Sequence, residues 1–246
     1  MYHSDIKIQN GAFFITDAHY SSKHPALLDF LKAIQSKQLL PTQLIFMGDI
    51  FDALFGGVQR TSVLNEEAIS IMNDLSTEIE IIYLEGNHDF NLKDIFPKCK
   101  VFKIAQQPLT CMYEDKKVIL AHGDYDGVFS YKIYTALIRN RYVLKFLNMF
   151  DTYILNFLDQ HLGNKDDCKE LPWFDGFIRR RIENKYDCDY FVEGHFHQNK
   201  IINFDNSIYI NLGAFACNQR YFIVESSKDK KFLRESSFSQ GDINNG

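Results

Sequence analysis

LEGNHDF, residues 84–90, closes an apolar run that begins at Ile79 and then presents a glycine followed by Asn87, His88 and Asp89. A buried strand has no use for those three side chains, since polar groups cost free energy in an interior unless they are partnered. Four other stretches end in the same way: FFITDAHY (13–20), LIFMGDIFD (44–52), VILAHGD (118–124) and YFVEGHFH (190–197). Each is a strand-like run of large apolar residues that stops abruptly on carboxylates, histidines or both.

Strands are expected over 12–16, 43–47, 79–84, 118–121, 190–193 and 207–212. Between the first three lie segments with apolar residues at helical spacing. These are His24–Ser36 and Val63–Leu75, the latter capped by Asn65 or by Thr61 and Ser62. Strand alternating with helix indicates parallel crossovers in a layered α/β fold. Two hairpins are expected, 100–104 with 118–121 and 200–204 with 207–212, the second turning at Asp205-Asn206. The polar stretch from Ser226 is expected to fray.

Spacing marks one insertion. Asp17 to Asp49 is 32 residues, Asp49 to Asn87 is 38 and Asn87 to His122 is 35, but His122 to His195 is 73. The extra chain reads as helices: VFSYKIYTALIRNRYVLKFLNMF, DTYILNFLDQHLG and PWFDGFIRRRIENKY. The expected division is a core of 1–125 and 190–225, a helical lid of 126–189 and a polar tail of 226–246.

In open α/β sheets, ligands sit beyond the carboxyl ends of the strands. Five such ends would gather Asp17, His19, Asp49, Asn87, His122, His195 and His197 into one crevice. Two carboxylates, an amide and four imidazoles are costly to bury bare, and a pair of divalent cations removes the difficulty. Mixed nitrogen and oxygen donors suit Mn²⁺, Fe²⁺ or Zn²⁺ better than Mg²⁺ or Ca²⁺. On an extended strand end the i and i+2 members of DxH and HxH point to the same side.

DAH, GDIFD, GNHD, HGD and GHFH in that order, over residues 12–124 and 190–215, resemble the calcineurin-like metallophosphoesterase superfamily. That resemblance implies a four-layer fold, a mixed β-sandwich flanked by helices. It also implies a dinuclear hydrolase in which Asp49 bridges two metals. Asp17, His19 and His197 would complete one metal, and Asn87, His122 and His195 the other. His88 would stabilise charge or protonate the leaving oxygen, with Asp89 orienting it and Asp52 and Asp124 supporting the ligands.

GDIFDALF, GNHDFNL, AHGD leading into a helical insertion, and GHFH late in the chain are similar to UDP-2,3-diacylglucosamine pyrophosphohydrolases of lipid A biosynthesis. Those enzymes release UMP and 2,3-diacylglucosamine 1-phosphate, and hold acyl chains under a helical lid. The chain departs from their best-known branch in having GNHD, with His88, in place of GNRD. The alternatives are a phosphoesterase for a soluble phosphodiester or nucleotide pyrophosphate, and a catalytically silent scaffold of the same fold. Asp126, Tyr131 and Arg139 lie just beyond HGD and are the expected substrate contacts.

The insertion carries Lys132, Arg139, Arg141 and Lys145 and no acidic residue between Val128 and Met149. Phe129, Ile133, Ala136, Leu137, Leu144 and Leu147 form one apolar stripe. This arrangement suits an anionic membrane surface or a greasy ligand with a phosphorylated head, and equally a helix packed on the enzyme body. Arg179-Arg180-Arg181 is either a solvated face or a phosphate contact.

Composition narrows the partners. A formal charge of −5 on 246 residues gives no global field to draw nucleic acid, and no obligate protein partner is evident. Five scattered cysteines without CxxC spacing read as reduced thiols of a cytoplasmic protein. The opening MYHSDIKIQNG is too polar for a signal peptide, and no apolar run reaches the ~18–20 residues that cross a bilayer. Any contact with the bacterial inner membrane would be peripheral, on its cytoplasmic face.

Overall fold

The computed structural model describes residues 6–127, 129–148, 168–225 and 232–239. The expected helix DTYILNFLDQHLG lies outside the described residues. So do the side chains of Phe129, Tyr131, Lys132, Tyr134, Arg141 and Leu147.

Two sheets stack face to face. The first is built from β1 (Phe13–Ile15), β2 (Gln43–Phe46), β4 (Glu80–Leu84), β6 (Lys100–Phe102), β12 (Arg220–Val224) and β13 (Leu233–Ser237), in the order β13-β12-β1-β2-β4-β6. Its central strands β1, β2, β4 and β6 run parallel, and β12 and β13 add antiparallel at one edge. The second sheet comprises β7 (Leu109–Tyr113), β8 (Lys116–Ala121), β9 (Tyr190–Glu193), β10 (Lys200–Asn203) and β11 (Ile208–Asn211), in the order β10-β11-β9-β8-β7. A short parallel pair, β3 (Leu54–Phe55) and β5 (Asp89–Phe90), joins two loops beside the site.

The four layers follow from side-chain alternation along the strands. Phe14, Ile45, Met47, Ile82 and Leu84 face inward and meet Leu109, Val118, Leu120, Val192 and Ile210 between the sheets. Phe13, Ile15, Leu44, Phe46, Ile81 and Tyr83 face outward, under α1 (Ala26–Gln35) and α3 (Glu66–Leu75). In α1 the buried residues Leu27, Phe30, Leu31 and Ile34 recur at helical spacing, which makes one apolar stripe for the sheet. On the far side Ile119, Phe191 and Tyr209 carry α6 (Phe174–Ile182) through Phe174, Ile178 and Ile182.

The α/β four-layer expectation holds, with local corrections. Residues 100–102 do not pair with 118–121. They extend the first sheet beside β4, while β8 takes β7 as its antiparallel partner. The second expected hairpin forms, as β10 with β11. The second expected helix breaks at Asn65 into α2 (Gln59–Leu64) and α3, because the Asn65 amide turns back onto the Ala53 and Thr61 carbonyls. The tail does not fray throughout: β13 seals the edge of the first sheet, with Arg220–Glu235 and Arg234–Glu225 ion pairs on its flank.

The cysteines also depart from expectation. Cys168 and Cys217 form a disulfide, while Cys99, Cys111 and Cys188 are buried free thiols. The pairing is a matter of tertiary approach across 49 residues, which spacing does not reveal.

The insertion leaves β8 as α4 (Phe129–Ile138) and α5 (Arg141–Asn148). Its apolar stripe divides. Leu144 packs with Val58 and Phe90, whereas Ile133 and Leu137 stay exposed, as do Tyr142 and Phe146. No helix among the described residues is long and apolar enough to cross a membrane.

Candidate metal centre

The five motif loops leave the carboxyl ends of β1, β2, β4, β8 and β9 and meet at one end of the sandwich. Asp17, His19 and His197 form one group of potential ligand atoms, all within 4.8 Å of one another. Asp49, His122 and His195 form a second such group. The His197 Nε2–Asp17 Oδ1 distance is 3.1 Å and the His122 Nε2–Asp49 Oδ2 distance is 3.3 Å. The His19 and His197 rings lie 5.7 Å apart and those of His122 and His195 5.0 Å. Asn87 stands between Gly86 and His88 with its Oδ1 buried.

The pairs i and i+2 converge by a different route from the one expected. Asp17, His19, Asp49, His195 and His197 all have left-handed backbones, with φ of 49°, 44°, 51°, 62° and 57°. The loops are therefore coiled tightly rather than extended, and non-glycine residues in that region mark functional geometry. Two glycines permit the close approach. A Cβ on Gly86 would stand 2.2 Å from Asp49 Oδ1, and one on Gly194 would stand 2.0 Å from Thr16 Oγ1.

Hydrogen bonds fix one oxygen of each carboxylate and leave the other turned inward. Asp49 Oδ1 accepts the His88 N–H at 2.8 Å. Asp17 Oδ2 accepts the Thr16 hydroxyl and, at 2.9 Å, the His195 N–H. His122 Nδ1–H donates to the Met47 carbonyl at 2.9 Å, which commits Nε2 to the interior. Asp17 Oδ1, Asn87 Oδ1 and His122 Nε2 are buried with no hydrogen-bond partner. Buried polar atoms left unpartnered and facing one another are the pattern that bound cations resolve.

Electrostatics agree. Burial works against ionising Asp17, but His197 holds it well below the usual carboxylate range, and His122 does the same for Asp49. Burial and the neighbouring His122 push His195 down to about 4, and burial lowers His19. The donor set is thus two ionised carboxylates with at least two neutral imidazoles, so the residues present fit divalent metal ions.

Asp52 lies where the sequence suggested. Its Oδ1 is 3.8 Å from His19 Nδ1 and 3.7 Å from His88 Nδ1, and its carbonyl takes the His88 Nδ1–H at 2.9 Å. Asp124 is buried close enough to His122 and His195 to influence both. Asp89 does not orient His88. Its carboxylate is occupied by the N–H groups of Asp49, Ile50, Phe51 and Gly86 and by the Tyr83 hydroxyl. Burial, with the charge of Asp49, pushes Asp89 up to about 7. The expected substrate contacts Asp126 and Arg139 are turned onto the protein itself: Asp126 accepts from Arg181 Nε at 2.7 Å, and Arg139 donates to the Gly86 carbonyl at 2.7 Å. The third, Tyr131, has its side chain outside the described residues.

Sequence reasoning missed several supporting residues. Gln107 joins two motif loops, accepting the His122 N–H at 2.6 Å and donating to the Glu85 carbonyl at 2.8 Å. Asn211 donates to the Gly194 carbonyl at 2.7 Å and accepts the Gln198 N–H at 2.7 Å. Asn211 carried a readable signal, since it is a polar residue inside the apolar run IYINL. Of the arginine run, Arg181 is buried in ion pairs while Arg179 faces outward beside Glu183.

Comparison with known proteins places these loops in context. The chain is 29% identical over 113 residues to the UDP-2,3-diacylglucosamine hydrolase of Psychromonas ingrahamii, a match covering 45% of this chain and 46% of that protein. It is 23% identical over 235 residues to the enzyme of the same name from Wigglesworthia glossinidia brevipalpis, covering 91% of this chain and 93% of that one. The chain thus spans about half the length of the first of these relatives and nearly all of the second. Among solved structures, the E. coli phosphoesterase Yfce superposes with a TM-score of 0.46 at 13% identity, covering 93% of this chain and 99% of that one. A family model, calcineurin-like phosphoesterase, matches residues 12–199. That span contains every donor from Asp17 to His197, and the chain belongs to this family of metal-dependent phosphoesterases.

Proposed function

We propose that the chain hydrolyses the pyrophosphate of UDP-2,3-diacylglucosamine, releasing UMP and 2,3-diacylglucosamine 1-phosphate. The observation that carries the hydrolytic reading is the pair of facing donor groups with partnerless buried atoms between them. Asp17, His19 and His197 would hold one divalent ion, and Asn87, His122 and His195 the other, with Asp49 shared; manganese suits the mixed donors. Bound there, such ions supply Lewis acidity and an activated water for attack on phosphorus.

The chain's own residues do the rest. His88 is held by Asp52 through Nδ1, which leaves Nε2 as the ring atom for the phosphate or the leaving oxygen. Asp89 ties down the backbone on both sides of Asp49 and keeps its carboxylate in place.

The lipid assignment is supported by likeness to the two hydrolases named above and by the exposed Ile133, Leu137, Tyr142 and Phe146 on the insertion. Such a face suits peripheral contact with the cytoplasmic side of a bacterial inner membrane. A second reading, a soluble nucleotide pyrophosphate, is favoured by the cleft between core and insertion. This cleft of about 520 Å³ is lined by Glu85, Lys103, Asp124 and Arg139 together with the apolar Ile104, Ala105 and Ala136, and its charged members suit a nucleotide.

The test is incubation with Mn²⁺ and either UDP-2,3-diacylglucosamine or a UDP-sugar without acyl chains. UMP from the first alone, absent with Asp49→Ala, supports the lipid reading. Equal release from both would replace it with the soluble one.

A further inference from the structure

Each limb of the insertion drives one arginine into the core, and the two are placed alike. Arg139, just past α4, donates Nη2 to the Gly86 carbonyl at 2.7 Å and sets Nη1 3.4 Å from Glu85 Oε2, with its guanidinium 4.9 Å from the centre of the Phe90 ring. Arg181, in α6, donates Nη2 to the Gly123 carbonyl at 3.0 Å and Nη1 to Glu193 Oε2 at 2.8 Å, with its guanidinium 4.8 Å from the centre of the Tyr125 ring. Both glutamates are fully buried at the ends of core strands.

The two glycine carbonyls are not arbitrary. Gly86 precedes Asn87, Gly123 follows His122, and Glu193 stands two residues before His195. Gln107 completes the circuit by joining Glu85 to the His122 backbone. All three loops that carry the Asn87, His122 and His195 donors are therefore held by one connected polar network. Arginine is the residue for this task, because its planar fork serves a carboxylate and a carbonyl at once.

We propose that Arg139 and Arg181 are positioning residues through which the insertion holds the Asn87, His122 and His195 donors together, so that tight binding of one of the two cations depends on these two arginines. The proposal rests on the dinuclear reading above. It makes the insertion part of the metal centre.

Manganese uptake by purified metal-free protein tests it without any substrate. The variants are Arg139→Met/Glu85→Gln and Arg181→Met/Glu193→Gln, in which no buried carboxylate is left unpaired. They are joined by Arg139→Lys and Arg181→Lys, which keep the charge but lose the fork. Exposed Arg179→Met is the control. Wild type and Arg179→Met should bind two ions, while the other variants, melting cooperatively, should hold one tightly and the second about 10–100-fold more weakly. Where a double variant fails to fold, the lysine variant of the same arginine decides. Two ions bound with wild-type affinity by the folded variants would overturn the proposal alone. A wild-type protein that takes up no manganese would instead overturn the dinuclear reading, and this one with it.

Discussion

The carboxylate of Asp89 receives the backbone N–H of Asp49 at 3.1 Å and that of Ile50 at 2.6 Å, so one side chain of the GNHD loop fixes the backbone of the GDIFD loop. With Tyr83, Gly86 and Phe51 also donating to it, Asp89 is a buried hub. Asp89→Asn would set an amide NH₂ against N–H donors and leave at least one unsatisfied, at a cost of about 1–3 kcal/mol. Urea unfolding of the metal-free protein measures this. Unchanged stability with a shifted pH–rate profile would return Asp89 to the role of partner for His88.

Metal uptake should release protons. Burial alone would lower the His122 pKa, but the carboxylates of Asp49, Asp124 and Asp17 override it and raise it well above the usual histidine value. That direction favours the protonated His122 ring in the metal-free protein, and a ligating imidazole must give its proton up. Apparent affinity for Mn²⁺ should rise with pH through the neutral range and weaken as pH falls. Calorimetry in two buffers of different ionisation enthalpy reads the release directly, and zero protons released at pH 7 would contradict this account.

His88 should matter to turnover and not to metal content. Its ring is anchored by Asp52 and not by any of the carboxylates expected to bind an ion. His88→Ala should lower kcat on an aryl phosphodiester about 10²–10⁴-fold while both ions stay bound. Asp52→Ala should do less, because the anchoring hydrogen bond goes to the Asp52 carbonyl. Loss of an ion from His88→Ala would make His88 a ligand instead.

Thiol chemistry offers an independent check on the fold. Burial pushes Cys99 and Cys188 up to about 11 and Cys111 to about 12. At pH 8 all three remain thiols, and thiolate is the reactive form, so native protein should resist alkylation. Unfolded without reductant the chain should show three reactive thiols, and after reduction five. Five without reductant would mean that the Cys168–Cys217 bond does not form in solution.

The loops of the candidate centre were readable because each donor ends an apolar run, so chain order and chain direction carry the same information. The partner of a short strand was not. Residues 100–102 and 109–113 are both brief and apolar, and nothing local says that the chain changes sheet between them. β13 was missed because Leu233–Ser237 is polar on its exposed face, and only pairing with β12 makes it a strand. Arg139 read as a substrate contact and Arg181 as part of a solvated or phosphate-binding run. Their partners Glu85 and Glu193 are buried at strand ends, 54 and 12 residues away.

The left-handed backbones at Asp17, Asp49 and the three histidines have an evolutionary consequence. Glycine occupies that region with less strain than aspartate or histidine, at savings of up to about 1–2 kcal/mol per site. Drift at these positions would therefore relax the polypeptide while silencing it.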